Sequence, residues 1–259
     1  MIDTALEIAR EAGDLLMERF GRLSGAEVTR KGPRDLVTAA DRDAEALIAR
    51  RLREAFPDHG LLAEEGSGDD RGAGPVWIVD PLDGTTNFVH GIPAFCVSLG
   101  LVEGGRPVLG VVHAPALRQT FWGAPGQGAY EGDRPVAVSV TPMLSEALVA
   151  TGFAYDVDRV PDHNLDNLAR LARLTRGVRR IGSAALDLAY VASGRFDAFW
   201  ELHLRPWDVA GGAAIVLAAG GTLTDVRGGG NWLFGGTLVA SNGIIHEELR
   251  RNLAPLKEL

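Results

Sequence analysis

Residues 77–87 read WIVDPLDGTTN, an apolar run suited to a protein core that ends in two aspartates. Val76 to Val79 call for burial, which predicts a strand with Asp80 at its carboxyl end, where α/β proteins gather ligands. Pro81 fixes its own φ and brings no N–H. Asp83-Gly84 predicts a tight turn, because glycine accepts backbone angles that other residues resist. Two carboxylates three residues apart, with the Leu82 carbonyl between them, make a hard donor set of oxygens alone. Such a set selects Mg²⁺, Mn²⁺ or Ca²⁺ over zinc or copper. A surface turn with solvated aspartates is the other reading of the same residues.

The surrounding chain narrows the choice. Its 259 residues suffice for one large α/β domain or two closely packed lobes. No apolar run approaches the roughly 18 to 20 residues that span a bilayer. The opening MIDTALEIAREAGDLL carries early acids where a signal peptide would be basic. A single cysteine, Cys96, excludes an intrachain disulfide and predicts a reducing cytoplasm. The formal charge of -8 argues against nucleic acid as a partner. It also requires cations to stand between the protein and any anionic substrate. The six histidines show no zinc spacing and read as solvated or core-satisfied side chains.

Ile2, Ala5, Leu6, Ala9, Gly13, Leu16 and Phe20 predict a helix over 2–21, stopped by Gly21. RKGPRDLVTAAD (30–41) is a polar stretch leading into a second helix, with Thr38 as N-cap and Asp41 in capping-box position. That helix has Ala44, Leu47, Ile48, Leu52 and Phe56 on its apolar face. Residues 63–74 form a Gly-rich acidic loop. Strands are predicted at 76–79, 95–102, 107–113 and 119–123, with a hairpin across 125–139. The second half alternates strands at 147–152, in RRIGS (179–183), in FDAFWE (196–201), in TLTDV (222–226) and in LVAS (238–241) with helices at 162–176, 183–193 and 207–219. The last dozen residues are predicted helical. This divides the chain into an N-terminal α+β lobe, 1–147, and a C-terminal α/β lobe, 148–259, with a cleft for a small ligand between them.

Two further acidic places matter. Glu64-Glu65 precede a Gly-rich loop, so a glutamate there can point into the cleft; a solvated acidic loop is the alternative. In PWDVAGG (206–212), Trp207 can anchor a turn and Asp208 falls in a first helical turn, where the macrodipole favours negative charge. A capping aspartate explains Asp208 but leaves the tryptophan and the small residues as coincidence.

Together, WIVDPLDGTTN, the upstream EE and the downstream WDVAGG closely resemble the inositol monophosphatase family of metal-dependent, lithium-sensitive sugar phosphatases. DLVTAAD (35–41), RRIGSAALDLAYVASGRFDAFWE (179–201) and AAGG (218–221) extend the resemblance over nearly the whole chain. It implies an α/β (α+β) fold, a layered helix–sheet–helix–sheet–helix sandwich. It also implies a Mg²⁺-dependent phosphomonoesterase acting on inositol monophosphate or a related small polyol phosphate, as a homodimer with no membrane partner.

The resemblance assigns roles residue by residue. Glu64, Asp80 and the Leu82 carbonyl would hold one Mg²⁺; Asp80, Asp83 and Asp208 would hold a second; a third would bind beside Glu64. Paired divalent ions of this kind activate a water and stabilise the leaving alkoxide. Thr85 and Asp41 would orient and deprotonate that water, with Glu64 and Asp83 counted among the catalytic groups. Gly84, Thr85 and Thr86 would offer backbone N–H groups to phosphate oxygens. Lys31 matches a basic family position near a metal loop, with a solvated lysine as the other reading. Gly182, Ser183, Ala184 and Glu201, with Asp83 and Asp208, would contact substrate, Glu201 accepting polyol hydroxyls. Glu201 would also suit the amine of histidinol phosphate, and Arg205 could be solvated or meet a second anion. Histidinol-phosphatase, fructose-1,6-bisphosphatase and 3′-phosphoadenosine 5′-phosphate phosphatase therefore stay as rivals. The Arg-rich RLARLTRGVRR (170–180) leaves a regulatory binding protein as the reading from another class.

Overall fold

The computed structural model describes residues 1–22, 28–30, 36–68 and 74–253. Helices α1 (Ile2–Arg19) and α2 (Ala39–Ala55) flank a short antiparallel ribbon, β1 (Val28–Arg30) with β2 (Leu36–Thr38). Strands β3 (Gly60–Ala63) and β4 (Val76–Asp83) follow, then the one-turn helix α3 (Thr85–Val89). An antiparallel run completes the first half: β5 (Cys96–Glu103), β6 (Arg106–Ala114), β7 (Gln119–Ala124), β8 (Gly128–Glu131) and β9 (Arg134–Val136). In the second half come β10 (Leu148–Thr151), α4 (Leu165–Leu174), β11 (Gly177–Arg179), α5 (Ala184–Ala192) and β12 (Ala198–Leu202). The chain then runs through α6 (Pro206–Ala218), β13 (Thr222–Thr224), β14 (Thr237–Ser241) and α7 (His246–Arg251).

Among the described residues, β3 to β9 pair in sequence order in one sheet, parallel only at β3–β4. The other large sheet has the order β11-β10-β12-β14-β13, parallel across its first three strands and antiparallel after them. Side chains alternate across a strand, and here both faces are covered. Trp77 and Val79 of β4 enter a core with α1 and α2, while Ile78 enters a second core with α5 and α6. The outer face of the second sheet meets Leu171 of α4 and Leu249 of α7 in a third core. Helices and mixed sheets thus alternate in five layers, α1/α2, sheet, α5/α6, sheet, α4/α7, which is the layered fold expected.

Small residues set the spacing of the middle layers. A Cβ on Gly110 would sit 2.0 Å from the Gly211 carbonyl oxygen, and one on Gly100 would sit 2.7 Å from Ala210. The Ala-Gly-Gly run of α6 therefore lies directly against the glycines of β5 and β6.

Several boundaries differ from expectation. Strand β4 runs on through Asp83 where the apolar pattern stops at Val79. β3 and the β1–β2 ribbon form in segments too short for periodicity to register. The strand expected in RRIGS lies earlier, at Gly177–Arg179, and Gly182 beyond it takes a left-handed φ of +92° that no strand continues through. The final helix ends at Arg251, and residues 254–259 lie outside the described residues.

Candidate active site

A bulge in β4 decides the site. Asp80 pairs with Ser98 and Asp83 with Cys96, so three steps along β4 match two along β5. In a regular strand, residues three apart point to opposite faces. One extra residue corrects the parity, and Pro81, with no N–H to leave unpaired, is suited to it. Asp80 and Asp83 consequently share a face. Beyond them Gly84 adopts φ +102°, and a Cβ there would approach the Ala94 and Gly182 carbonyl oxygens to 3.0 and 3.3 Å. Only glycine fits.

These residues open onto a cavity of about 630 Å³. Glu64, Asp80, Leu82, Asp83, Gly84, Thr85, Thr86, Gly182, Ser183, Ala184, Glu201 and Asp208 all line it, so residues from both halves of the sequence meet there. Asp41 stands behind this wall, buried, and reaches the cavity through Thr85. Lys31 lies outside the described residues.

Each acid is held by the local fold. Asp41 accepts from the Thr38 backbone N–H at 2.8 Å and the Thr38 hydroxyl at 2.6 Å, closing the capping box of α2. The Thr85 hydroxyl faces Asp41 Oδ1 at 3.0 Å and the Leu82 carbonyl at 3.1 Å. Asp80 Oδ1 accepts from the Leu82 N–H at 3.0 Å. Asp83 Oδ2 accepts from the Ser183 hydroxyl and the Ala185 N–H, both at 2.7 Å, and so joins β4 to the amino end of α5. Asp208 Oδ2 accepts from the Arg205 N–H at 2.6 Å, in the first turn of α6. Asn87 donates to the Ala94 and Ile181 carbonyls at 2.7 and 2.9 Å, tying the turn to the second half.

The electrostatics are those of acids crowded out of water. Burial raises the Asp80 pKa well above the carboxylate range, and Glu64, Asp83 and Asp208 add to the rise. Burial likewise raises Asp83, against the pull of Ser183 and the α5 backbone. Asp208 is pushed up to about 8 by burial and then by Asp83 and Glu64. Glu201 also reaches about 8, through burial and the Asp208 charge, with Arg180 opposing. Asp41 is raised by burial alone, its hydrogen bonds pulling the other way. Neighbouring anions that raise one another need a cation between them to ionise together. Among the described residues, no three His, Cys, Asp or Glu side chains are already closed into a metal-holding group. The donors are nonetheless oxygens of the hard type, mutually repelling and in one cavity, which fits a divalent hard cation.

Sequence reasoning missed two acids. Glu45 is 1% exposed on α2 and accepts from the Glu65 and Ser67 N–H groups at 2.6 and 2.8 Å, fixing the segment that carries Glu64. An acid at a helical spacing otherwise given to Ala44, Ile48 and Leu52 was the available signal. Asp187, buried on α5, is the other.

Comparison with known proteins agrees with this geometry. The profile of the inositol monophosphatase family matches residues 1–258. An inositol-1-monophosphatase of Synechocystis is 43% identical, over 98% of this chain and 90% of the relative. A protein of Pseudomonas aeruginosa named Nus factor SuhB is 42% identical, over 98% of this chain and 96% of its own. The solved structure of an inositol monophosphatase from Anabaena superposes with a TM-score of 0.88 at 42% identity, covering 97% of this chain and 94% of that one.

Proposed function

The chain belongs to the inositol monophosphatase family and is a phosphoric monoester hydrolase; from that premise we propose that it hydrolyses myo-inositol monophosphate or a closely related small polyol phosphate. The observation that carries the reading is the meeting of Glu64, Asp80, Asp83, Asp208 and Glu201 in one cavity. The family is metal-dependent, and here Glu64, Asp80, the Leu82 carbonyl, Asp83 and Asp208 would hold two to three Mg²⁺. Those ions, when bound, supply charge neutralisation for the phosphate and the departing oxygen.

The chain's own residues do the rest. Gly84, Thr85 and Thr86 present backbone N–H groups to phosphate oxygens. Thr85 donates its hydroxyl proton to Asp41, which leaves its oxygen lone pairs to orient a water. Asp41, with its pKa raised by burial, takes the proton as general base. Gly182, Ser183 and Ala184 shape the wall beside the leaving group, and Glu201 accepts its hydroxyls. In this scheme residues 1–147 supply Glu64, Asp80 and Asp83, and 148–259 supply Asp208 and most of the specificity. A homodimer in the cytoplasm accompanies the reading as a family expectation; among the described residues no helix is long and apolar enough to cross a membrane.

Hydrolysis rates on inositol 1-phosphate, histidinol phosphate, fructose 1,6-bisphosphate and 3′-phosphoadenosine 5′-phosphate test the substrate. The inositol ester is expected to lead, and a tenfold preference for histidinol phosphate would overturn it. Asp83→Asn is expected to cut kcat by several orders of magnitude in a folded chain. A second reading, regulatory binding, draws on the name of the Pseudomonas relative. Charge reversal at Arg170 and Arg173 on α4 tests it: loss of a partner with turnover intact would favour it.

A further inference from the structure

Helix α5 is buried on every side, in the middle layer between the two sheets. One acid interrupts its run of alanine, leucine and valine. Asp187 is 1% exposed, and its Oδ1 has no hydrogen-bond partner among the described residues. A buried carboxyl without a donor is costly, and the packing of α5 offers nothing in return. Leu186 and Leu188 on either side are fully buried, so an apolar residue would suit the core. The cost points to the cavity, whose wall Asp187 forms together with Glu201.

Two other features define what Asp187 can meet. Asp187 lies within electrostatic reach of both Glu201 on β12 and Asp83 on β4. Glu201 itself leans over Gly152, where any Cβ would fall within 2.1–2.3 Å of its carboxyl atoms. Gly152 thus leaves room for the Glu201 carboxyl in the cavity wall. Both acids need donors. Arg180 faces Glu201 and Asp187 electrostatically and disfavours a second cation beside them, which leaves neutral hydroxyls as the matching donors.

We infer that Asp187 is a specificity-determining residue: its carboxyl, in the cavity wall beside Glu201, accepts a hydroxyl of the polyol that carries the phosphate. The inference rests on the polyol-phosphate reading above. It explains why an acid persists in a helix where stability alone would favour leucine or alanine.

The test compares inositol 1-phosphate, p-nitrophenyl phosphate and 2-aminoethyl phosphate in the Mg²⁺-loaded enzyme and in Asp187→Ala. The variant is expected to lose ~10-fold in kcat/KM on the inositol ester, the scale of one hydrogen bond, chiefly through KM. On the nitrophenyl ester, which has no hydroxyl to offer, it should stay within about twofold, and its Tm should be unchanged or higher. Asp187→Asn keeps one acceptor oxygen and is expected to lose less on the inositol ester; it also serves should the alanine variant fail to fold. Equal losses on both esters with a lowered Tm would make Asp187 structural and overturn the inference. So would unchanged kinetics, or a larger loss on the aminoethyl ester. Wild-type enzyme that shows no preference for the inositol ester would instead sink the substrate reading itself, before any variant is compared.

Discussion

The Thr85 hydroxyl lies 3.0 Å from Asp41 Oδ1, across 44 residues of sequence, and joins the turn after β4 to the first turn of α2. Asp41 Oδ2 is already engaged by the Thr38 N–H and hydroxyl. Only Oδ1 is left to take a proton from the cavity side. Thr85→Ala is therefore expected to lower kcat by ~10²- to 10⁴-fold, the span of general-base assistance, with KM little changed. Thr85→Ser should recover most of it. Asp41→Asn should lose a similar factor and also weaken the α2 cap, by about 1 kcal/mol. Steady-state kinetics with urea melts separate the two effects; a Thr85→Ala enzyme with normal kcat would remove the pair from catalysis.

The capping box at Thr38 and Asp41 was legible because it is a local pattern, satisfied within one helical turn. The two aspartates of β4 were legible as a pair, yet their shared face was not. It depends on a one-residue bulge that exists only against β5, and the apolar pattern carries no record of register. The close approach of α6 to the first sheet could be anticipated from Ala210-Gly211-Gly212, but its counterpart glycines lie 100 residues earlier and look like ordinary strand interruptions. Ribbon β1–β2 and strand β3 stayed hidden because three or four residues set no period. Glu45 and Asp187 escaped notice for another reason: each is an acid buried among the apolar positions of its helix, and its partner or lack of one is a tertiary fact.

Glu45 controls the position of Glu64 without facing the cavity. Its two oxygens take the N–H groups of Glu65 and Ser67, so removing them frees the segment that carries a proposed metal ligand. Glu45→Ala should raise the Mg²⁺ concentration for half-activation by ~10- to 100-fold, as loss of supporting hydrogen bonds around metal ligands does. At saturating Mg²⁺, kcat should largely return. An unchanged activation curve would show that the segment is held by other means.

Gly110 tests the packing of the middle layers. A methyl group there would be driven to 2.0 Å from a backbone oxygen of α6, which has no rotamer by which to yield. Gly110→Ala is expected to destabilise by at least the ~1–3 kcal/mol typical of overpacking, read as a lower urea midpoint. Gly132→Ala is the contrasting case, since its φ is +58° and, among the described residues, nothing lies within 4 Å of its Cβ. Its cost should be the smaller backbone strain of about 1–2 kcal/mol. Equal midpoints for the Gly110 variant and wild type would mean that α6 can lift from the sheet.

Crowded acids also set a pH dependence of stability. Asp208 and Glu201 have pKa values of about 8 in the folded chain, against usual values of 3.8 and 4.5. Between those limits the folded state keeps protons that the unfolded state has released. Stability from these groups is therefore complete below pH ~4 and falls as pH rises toward about 8. In EDTA, the Tm should drop steadily from pH 5 to pH 8. Saturating Mg²⁺ should raise the Tm most at the upper end, because a cation favours the ionised acids that protons otherwise neutralise. Asp208→Asn removes one of the two acids and should flatten the EDTA slope. A Tm in EDTA that holds level or climbs across this range would mean that the acids do not crowd one another as the fold places them.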